Sequence, residues 1–241
     1  MIHVKNLCLN YGEKLVLDNI ELNIEKNSTC AIIGPSGCGK TSLLYILAGL
    51  IKESSGEVLI DNKFLQGTRQ ETGVILQDLG LLPWKNVWNN IGLGLKVRKI
   101  DKNLIKNKVE NMLKELSITQ HKNKYPHELS GGEKQRVAIG RTLVLNPDLL
   151  LCDEATSALD EITKEQLQNL ILELYKNHPM TLILVTHSIE EAVFLGQKII
   201  VMENTKIKKV IHNPYFGQSD IREKDSYYNI CREVRKWLYQ K

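Results

Sequence analysis

Residues 29–42 of the chain read TCAIIGPSGCGKTS, an apolar run followed by a glycine-rich turn that ends in Lys-Thr-Ser. The run Thr29–Ile33 is apolar and β-rich, which is typical of a strand buried on both faces. Residues 34–41 fit G-x-x-x-x-G-K-[ST], in which glycines let successive backbone N–H groups point at phosphate oxygens. A helical stretch, residues 42–50, follows and would present its positive N-terminal end to the same anion. Because the turn lies between a buried strand and a helix, we predict a phosphate-binding loop rather than a surface turn.

The loop supplies candidate contacts for a nucleotide. The Lys40 ammonium is expected to reach the β- and γ-phosphates, and the Thr41 hydroxyl is expected to ligate Mg²⁺. The predicted ATP-binding residues of this segment are Gly34, Pro35, Ser36, Gly37, Cys38, Gly39, Lys40, Thr41 and Ser42.

Composition limits the class of protein. The 241 residues are 42% hydrophobic and 25% charged, which fits one large globular domain and argues against disorder. The longest apolar run, Leu43–Ile51, is too short to span a bilayer, and the opening residues lack a secretory signal, so we expect a cytoplasmic protein. Five scattered cysteines without a C-x-x-C pair give poor support for zinc or a disulfide framework. The net charge of +4 is concentrated after Lys206, and this mildly basic tail does not indicate nucleic-acid binding.

The order of apolar patterns predicts an α/β fold with a mainly parallel sheet. Strand-like runs at residues 149–152 and 182–185 flank a helical pattern, and alternating strands and helices are typical of a helix-covered parallel sheet. Between Trp84 and His127 strand signals are missing, and apolar residues recur at helical spacing after Asp101, a plausible N-cap. We therefore predict an inserted helical subdomain. A second helical stripe near the end is expected to pack on the core.

Two adjacent carboxylates follow one of the predicted strands. The run Leu149–Cys152 ends in Asp153 and Glu154, and strand ends are where ligands bind in open α/β sheets. Asp153 is expected to hold Mg²⁺, and Glu154 to polarise the attacking water as general base. The alternative is an acidic helix N-cap. The phosphate-binding loop favours the functional interpretation.

The segment Leu129-Ser130-Gly131-Gly132-Glu133 predicts a second anion cradle at a helix start. One nucleotide needs only one such cradle in a chain, so the second one suggests a nucleotide bound by a partner subunit. The segment closely resembles the signature of the ATP-binding cassette (ABC) family. The phosphate loop, the signature and the Asp-Glu strand end occur in that family's order, and the resemblance covers roughly residues 1–210. P-loop kinases and small GTPases share the first motif but lack the signature.

The resemblance implies the P-loop NTPase ABC ATPase fold over residues 1–241. Its parts would be a mainly parallel RecA-like core with an antiparallel β subdomain (about 1–84 and 128–212), a helical subdomain (about 85–130) and a helical tail (about 213–241). It also implies two chains arranged head to tail, with each ATP between the phosphate loop of one chain and the signature of the other.

Further roles come from the resemblance alone. Tyr11 corresponds to the aromatic that stacks on adenine, Gln77 to a glutamine that senses Mg²⁺ and water, and His187 to the switch histidine at the γ-phosphate. Asp160, in Ser157-Ala158-Leu159-Asp160, corresponds to the aspartate that communicates across the dimer. Thr41, Gln77 and Asp153 would thus be the magnesium ligands. The signature commonly has Gln where this chain has Glu133, so we expect a negative charge near a nucleotide edge.

The loop after Gln77 resembles that of one importer group. Residues 80–84 (GLLPW) and 88–91 (WNNI) are similar to bacterial importers of nitrate, sulfonate and taurine, whose relatives carry bicarbonate or vitamin precursors. This implies a homodimer on the inner membrane face, docked through residues 80–84 on a separate permease and served by a solute-binding protein. Core packing of Leu82 and Trp84 is the alternative. Other possible functions are an exporter or lipid-transporting ATPase and a non-transport ABC protein acting on ribosomes or DNA.

Overall fold

A computed structural model of the chain describes residues 2–157, 159–218 and 220–240. A six-stranded sheet forms its centre, in the order β10-β9-β3-β8-β7-β6. The pairs β9–β3, β3–β8, β8–β7 and β7–β6 are parallel, and β10 alone is antiparallel to its neighbour. The strands are β3 (Thr29–Ile33), β6 (Thr72–Ile75), β7 (Leu149–Asp153), β8 (Thr181–Thr186), β9 (Lys198–Glu203) and β10 (Lys206–His212). The prediction of a mainly parallel sheet is confirmed.

A second, four-stranded sheet is antiparallel and has the order β2-β1-β4-β5. Its strands are β1 (Ile2–Tyr11), β2 (Lys14–Ile24), β4 (Ser55–Ile60) and β5 (Lys63–Phe64). Alternate residues of β1 and β2, such as Leu7, Leu9 and Ile20, are buried, as is usual for strands with one face on the core. This sheet is the antiparallel part of the predicted fold.

Eight α-helices lie in the described part of the chain. They are α1 (Lys40–Leu47), α2 (Val87–Ile91), α3 (Leu93–Val97), α4 (Lys102–Glu115), α5 (Gly131–Leu143), α6 (Glu161–Asn177), α7 (Ile189–Leu195) and α8 (Asp225–Tyr239), with single 3₁₀ turns at Thr119–His121, Pro126–Glu128 and Ile221–Glu223. The helix predicted at residues 42–50 is shifted, beginning at Lys40 and ending at Leu47. It stops there because Gly49 turns the chain with a positive φ of 70°.

The regular elements described between β6 and β7 are all helices, as predicted. Asp101 caps α4, because its carboxylate accepts the N–H groups of Asn103 and Leu104 at 2.8 and 3.2 Å. The apolar face of α4 is buried at Ile105, Val109, Met112 and Leu113. The exact division of the chain into subdomains stays a prediction.

The central sheet separates two hydrophobic cores. Along β3, Ala31 and Ile33 face the core formed with α2–α8, whereas Cys30 and Ile32 face the core shared with α1 and the antiparallel sheet. This burial on both faces accounts for the continuous apolar run in the sequence. Burial also raises the pKa of the Cys30 thiol to about 12 and that of the Cys152 thiol well above its ordinary value. Both behave as small apolar residues, as expected.

The tail forms α8, which packs against α7 and β9. Tyr227, Ile230 and Val234 are buried at the predicted helical spacing, and Trp237 is partly covered, with the Lys209 ammonium 5.0 Å from its ring centroid. Within residues 2–157, 159–218 and 220–240, no helix has the length and apolarity needed to cross a bilayer.

The packing of α8 can be tested at Val234, whose side chain is fully buried. Replacing it with alanine removes two methyl groups and leaves a cavity, so we expect Val234→Ala to lower the free energy of unfolding by about 2 kcal/mol. Urea unfolding would measure this change. The neighbouring exposed residue gives the control Glu233→Ala, expected to change stability by less than about 0.5 kcal/mol. Equal effects of both changes would show that α8 is not part of the folded core.

Candidate ATP-binding and hydrolysis site

The phosphate loop connects β3 to α1, and its backbone curls as the glycine pattern predicts. Gly37 and Gly39 have positive φ values of 79° and 100°, which side chains rarely permit. A Cβ atom on Gly39 would also lie 2.6 Å from the Val16 carbonyl oxygen. Glycine at these positions therefore allows the loop to close over the start of α1.

Lys40 lies inside this loop. Its side chain is buried, and the ammonium donates hydrogen bonds of 2.9 Å to the carbonyls of Gly34 and Pro35. These hydrogen bonds hold the positive charge inside the loop whose N–H groups the motif assigns to phosphate. Cys38 is also buried, and burial raises the pKa of its thiol, so at neutral pH this group is a packed, protonated side chain rather than a reactive thiolate.

Thr41 and Asp153 meet beneath the loop. The Thr41 hydroxyl donates to Asp153 Oδ1 at 3.2 Å, although the two residues are 112 positions apart. Burial raises the pKa of the Asp153 carboxyl, against the opposing effect of the Thr41 hydrogen bond. A hydroxyl and a carboxylate are hard oxygen donors that suit Mg²⁺, which normally completes its shell with phosphate oxygens and water. In the described ranges, no cluster of three or more His, Cys, Asp or Glu residues could hold a metal ion.

Glu154 and His187 lie together at the ends of neighbouring strands. His187 Nδ1 is 3.6 Å from Glu154 Oε2, and the Glu154 N–H donates to the Val185 carbonyl at 3.0 Å. Glu154 has a left-handed backbone with φ of 47°, a conformation that costs a non-glycine residue about 1–3 kcal/mol and is typical of functional sites. The structure therefore brings Glu154 and His187 together from two separate strand ends, and their catalytic roles stay predictions.

Gln77 is exposed two residues beyond β6, which pairs in register with β7 at Ile75 and Cys152. It therefore lies at the same sheet edge as Asp153. The Tyr11 side chain is 51% exposed. An open cavity of about 260 Å³ joins Tyr11 to the phosphate loop, with Lys14 and Val16 on one side and Gly37, Gly39 and Lys40 to Ser42 on the other.

The signature residues lie at the start of α5 and contribute none of the described lining of that cavity. Ser130 caps the helix: its hydroxyl accepts the Glu133 N–H at 3.3 Å, and the Glu133 carboxylate accepts the Ser130 N–H at 2.7 Å. His121 Nε2 is 2.9 Å from the same carboxylate. The Glu133 carboxylate is thus bonded to Ser130 and lies beside His121 of its own chain, and the expected position of its charge near a nucleotide edge stays a prediction. Leu129 is buried, Gly131 is exposed, and a Cβ on Gly132 would meet Thr163 at 2.6 Å.

Asp160 is the N-cap of α6, and its Oδ1 accepts the Thr163 N–H at 3.0 Å. This bond and neighbouring N–H groups lower the pKa of its carboxyl. Ala158, in the segment that contains Asp160, lies outside the described residues. The roles predicted for Asp160, Gln77, Tyr11 and the signature stay predictions.

The loop that follows Gln77 is irregular but anchored. The buried Asn90 side chain donates to the carbonyls of Leu82, Lys85 and Asn86 at 3.1, 2.7 and 3.2 Å and accepts the Leu82 N–H at 2.9 Å. Trp84, at the tip, is 71% exposed, so the interpretation as a core residue is wrong for this side chain.

Arg141 anchors the same loop from the other side. It projects from α5 and donates to the carbonyls of Leu79 and Gly80, both of which have positive φ values. Sequence reasoning missed Arg141 and Asn90. It also missed a buried hydrogen bond from the Thr156 hydroxyl to the Glu191 carboxylate. The sequence offers one signal for Asn90 and Glu191: each stands among apolar residues of a helix, which can indicate a buried polar side chain.

Comparisons with known proteins identify the class. The family model described as ABC transporter matches residues 17–157. The taurine import ATP-binding protein TauB of Escherichia coli O157:H7 is 40% identical over 202 residues, which cover 84% of this chain and 79% of the relative. Its counterpart in Shigella sonnei (strain Ss046) is 39% identical over 204 residues, covering 85% and 80%.

Solved structures agree with the sequence comparisons. The dimeric ATP-binding cassette MJ0796, in a post-hydrolysis state bound to ADP and Pi, has a TM-score of 0.79 at 30% identity and covers 90% of this chain and 100% of its own. The protein cbiO1 from Clostridium perfringens, part of the ABC transporter complex cbiONQ, has a TM-score of 0.82 at 30% identity and covers 97% of each chain. Fold and similarity together define a P-loop ATPase. The chain belongs to the ABC transporter family, and within it to the ATP-binding subunits.

The reciprocal cap of α5 gives a stability test. Glu133→Ala removes the acceptor of the Ser130 N–H, and we expect a loss of about 1 kcal/mol at pH 7 in urea unfolding. The hydrogen bond from the Ser130 backbone lowers the pKa of the folded Glu133 carboxyl. The contribution of its ionised form is therefore complete above the unfolded-state pKa of about 4.3, and it is lost as pH falls through the lower folded-state pKa.

The exposed residue Glu173 on α6 supplies the control Glu173→Ala, for which we expect little change at any pH. A Glu133→Ala deficit that stayed constant between pH 7 and pH 3 would contradict the role of the ionised carboxylate.

Proposed function

We propose that this chain is the ATP-hydrolysing motor subunit of a bacterial importer for a small solute of the taurine, sulfonate or nitrate type. The observation that carries the ATPase part is the convergence of Lys40, the Thr41–Asp153 hydrogen bond and the Glu154–His187 pair at one sheet edge. The relatives named as taurine import proteins support the transport part, since they match most of the chain. Bicarbonate and vitamin precursors are further candidate solutes.

In the proposed reaction, ATP and water give ADP and phosphate. The loop N–H groups and the Lys40 ammonium bind the phosphates, and the Glu154 carboxylate accepts a proton from the attacking water. His187, 3.6 Å from that carboxylate, orients the water and contacts the γ-phosphate. Bound Mg²⁺ would supply charge neutralisation at the phosphate oxygens, and Thr41, Asp153 and Gln77 would hold it. Tyr11, at the far end of the loop cavity, would stack on adenine.

The working unit is proposed to be a head-to-tail dimer. The signature residues Ser130 and Gly132 lie at the N-terminal end of a 13-residue helix, where N–H groups and the helix dipole favour an anion. They take no described part in the cavity beside the phosphate loop of their own chain, which is expected if they serve the nucleotide of a second copy. Asp160 would contact that copy. A dimeric relative among the solved structures supports this arrangement.

Transport requires a membrane partner. We propose that the Trp84 tip of the loop 78–86 docks on a separate permease, because a large aromatic side chain stands exposed on an anchored loop there. A solute-binding protein would complete the system. The subunit would then lie on the inner face of the membrane as a peripheral protein, without a nucleic-acid partner.

Glu154→Gln tests the proposed base. Because removal of a general base typically costs ~10²–10⁴-fold, turnover should nearly vanish while ATP still drives the dimer, which size-exclusion chromatography would detect. The matched control is Glu173→Gln, which changes an exposed carboxylate of α6 and should retain full activity. Activity of Glu154→Gln above about a tenth of wild type would exclude Glu154 as the base.

A pull-down with ATP in mild detergent tests the partners, with the Glu154→Gln chain as bait. We expect a polytopic permease and a solute-binding protein, and we expect Trp84→Ala in the bait to abolish their recovery. Tyr239→Ala, which removes another exposed aromatic ring, should not. A permease without a binding protein would favour export. Ribosomal or DNA-bound partners would contradict transport.

A further inference from the structure

Two adjacent glutamates in the first turn of α7 have different environments. Glu190 faces outward, where its carboxylate lies 3.9 Å from the Arg235 guanidinium of α8 and its carbonyl accepts the Tyr227 hydroxyl at 2.9 Å. Glu191 faces inward and is 4% exposed. The same turn therefore joins the tail helix on one side and the protein interior on the other.

The Glu191 carboxylate has apolar surroundings. Cys152, Ile171, Leu184 and Leu195 line the small space around it. In the described part of the chain, one side-chain hydrogen bond to this carboxylate is present, and the buried Thr156 hydroxyl donates it. Burying a carboxylate among apolar side chains costs free energy unless the carboxylate is hydrogen-bonded. The burial of Glu191 therefore depends on the hydrogen bond from the Thr156 hydroxyl.

The Thr156–Glu191 hydrogen bond connects the two loops of the hydrolysis site. Thr156 belongs to the turn that begins at Glu154, which is closed by the hydrogen bond from the Ser157 N–H to the Glu154 carbonyl at 3.1 Å. Glu191 belongs to the turn that begins just after His187, where the Ser188 hydroxyl accepts the Glu191 N–H at 3.2 Å. One buried side-chain contact thus ties together the loops of both members of the Glu154–His187 pair.

The Thr156–Glu191 hydrogen bond restrains the turn that begins at Glu154, whose backbone is strained. Glu154 has a φ of 47°, a conformation that non-glycine residues keep only when their surroundings enforce it. The Glu154 N–H is bonded to Val185 of β8, which fixes the start of the turn, and Thr156 fixes its far side. If the second attachment is lost, we expect the turn to relax and the Glu154 carboxylate to move relative to His187.

We propose that Glu191 is a positioning residue for ATP hydrolysis, which acts through the Thr156 hydroxyl to hold the Glu154 carboxylate beside His187. The proposal rests on the role of Glu154 in the proposed function.

Steady-state ATPase kinetics of the full chain test this proposal. Thr156→Val keeps the shape of the side chain and removes the hydroxyl, and we expect kcat to fall about tenfold or more, as for a small misplacement of a reacting group. The KM for ATP should stay within about twofold, because the phosphate loop is not altered. Thr156→Ser restores the donor and should recover most of kcat. Glu190→Gln is the matched control on α7 and should resemble wild type.

A double-mutant cycle adds a readout that a general loss of stability would not give. If Glu191 acts through Thr156, Glu191→Ala lowers kcat as Thr156→Val does, and combining the two lowers it no further. Additive losses, or a Thr156→Val enzyme with kcat within about threefold of wild type, would overturn the proposal. If Thr156→Val does not fold, Thr156→Ala removes the hydroxyl without branching and is read by the same criteria.

Glu154→Gln, measured in parallel, separates this proposal from the proposed function. An inactive Glu154→Gln beside a fully active Thr156→Val would refute only the positioning role. An active Glu154→Gln would refute the base assignment, and the positioning proposal with it.

Discussion

The in-register parallel pairing of the central strands is the constraint on which the site depends. Ile33 of β3 pairs with Thr186 of β8, and Val185 pairs with Asp153 of β7. Three strands from distant parts of the chain therefore end at one edge of the sheet. The phosphate loop, the two carboxylates and His187 each lie at or directly after one of those ends, so the parallel pairing brings them to the same end of the sheet.

Features that depend on neighbouring residues were predictable from the sequence, and features that depend on tertiary packing were not. The phosphate loop, the Asp101 cap and the stripe on α8 follow from spacing over a few residues. The direction of the Glu133 carboxylate depends on His121, twelve positions earlier in the chain. The exposure of Trp84 depends on which residues cover it, and a short apolar segment fits a core or a surface equally well. The Thr156–Glu191 contact joins residues 35 positions apart, for which no pattern exists.

The loop 78–86 shows how an irregular segment can keep a defined shape. It lacks the ladder of hydrogen bonds that a strand or helix would provide, and two side chains take over that task. Asn90 satisfies four backbone groups from α2, and Arg141 satisfies two carbonyls from α5. Since α5 begins at the signature, the loop and the signature are attached to the same rigid element. A displacement of one end of α5 therefore displaces the other.

The burial of the cysteines bears on how the protein withstands oxidants. The cysteine thiolate attacks peroxides and disulfide reagents, and both exposure and a low pKa of the thiol promote that attack. Cys38 lies in the phosphate loop and Cys152 next to Asp153, where a sulfenic acid or a glutathione adduct would disrupt the chemistry. Both are buried and have raised pKa values. The fold thus buries the two sulfur atoms that lie beside the phosphate loop and Asp153. We therefore expect ATP turnover to persist under oxidative stress that modifies the less buried Cys8.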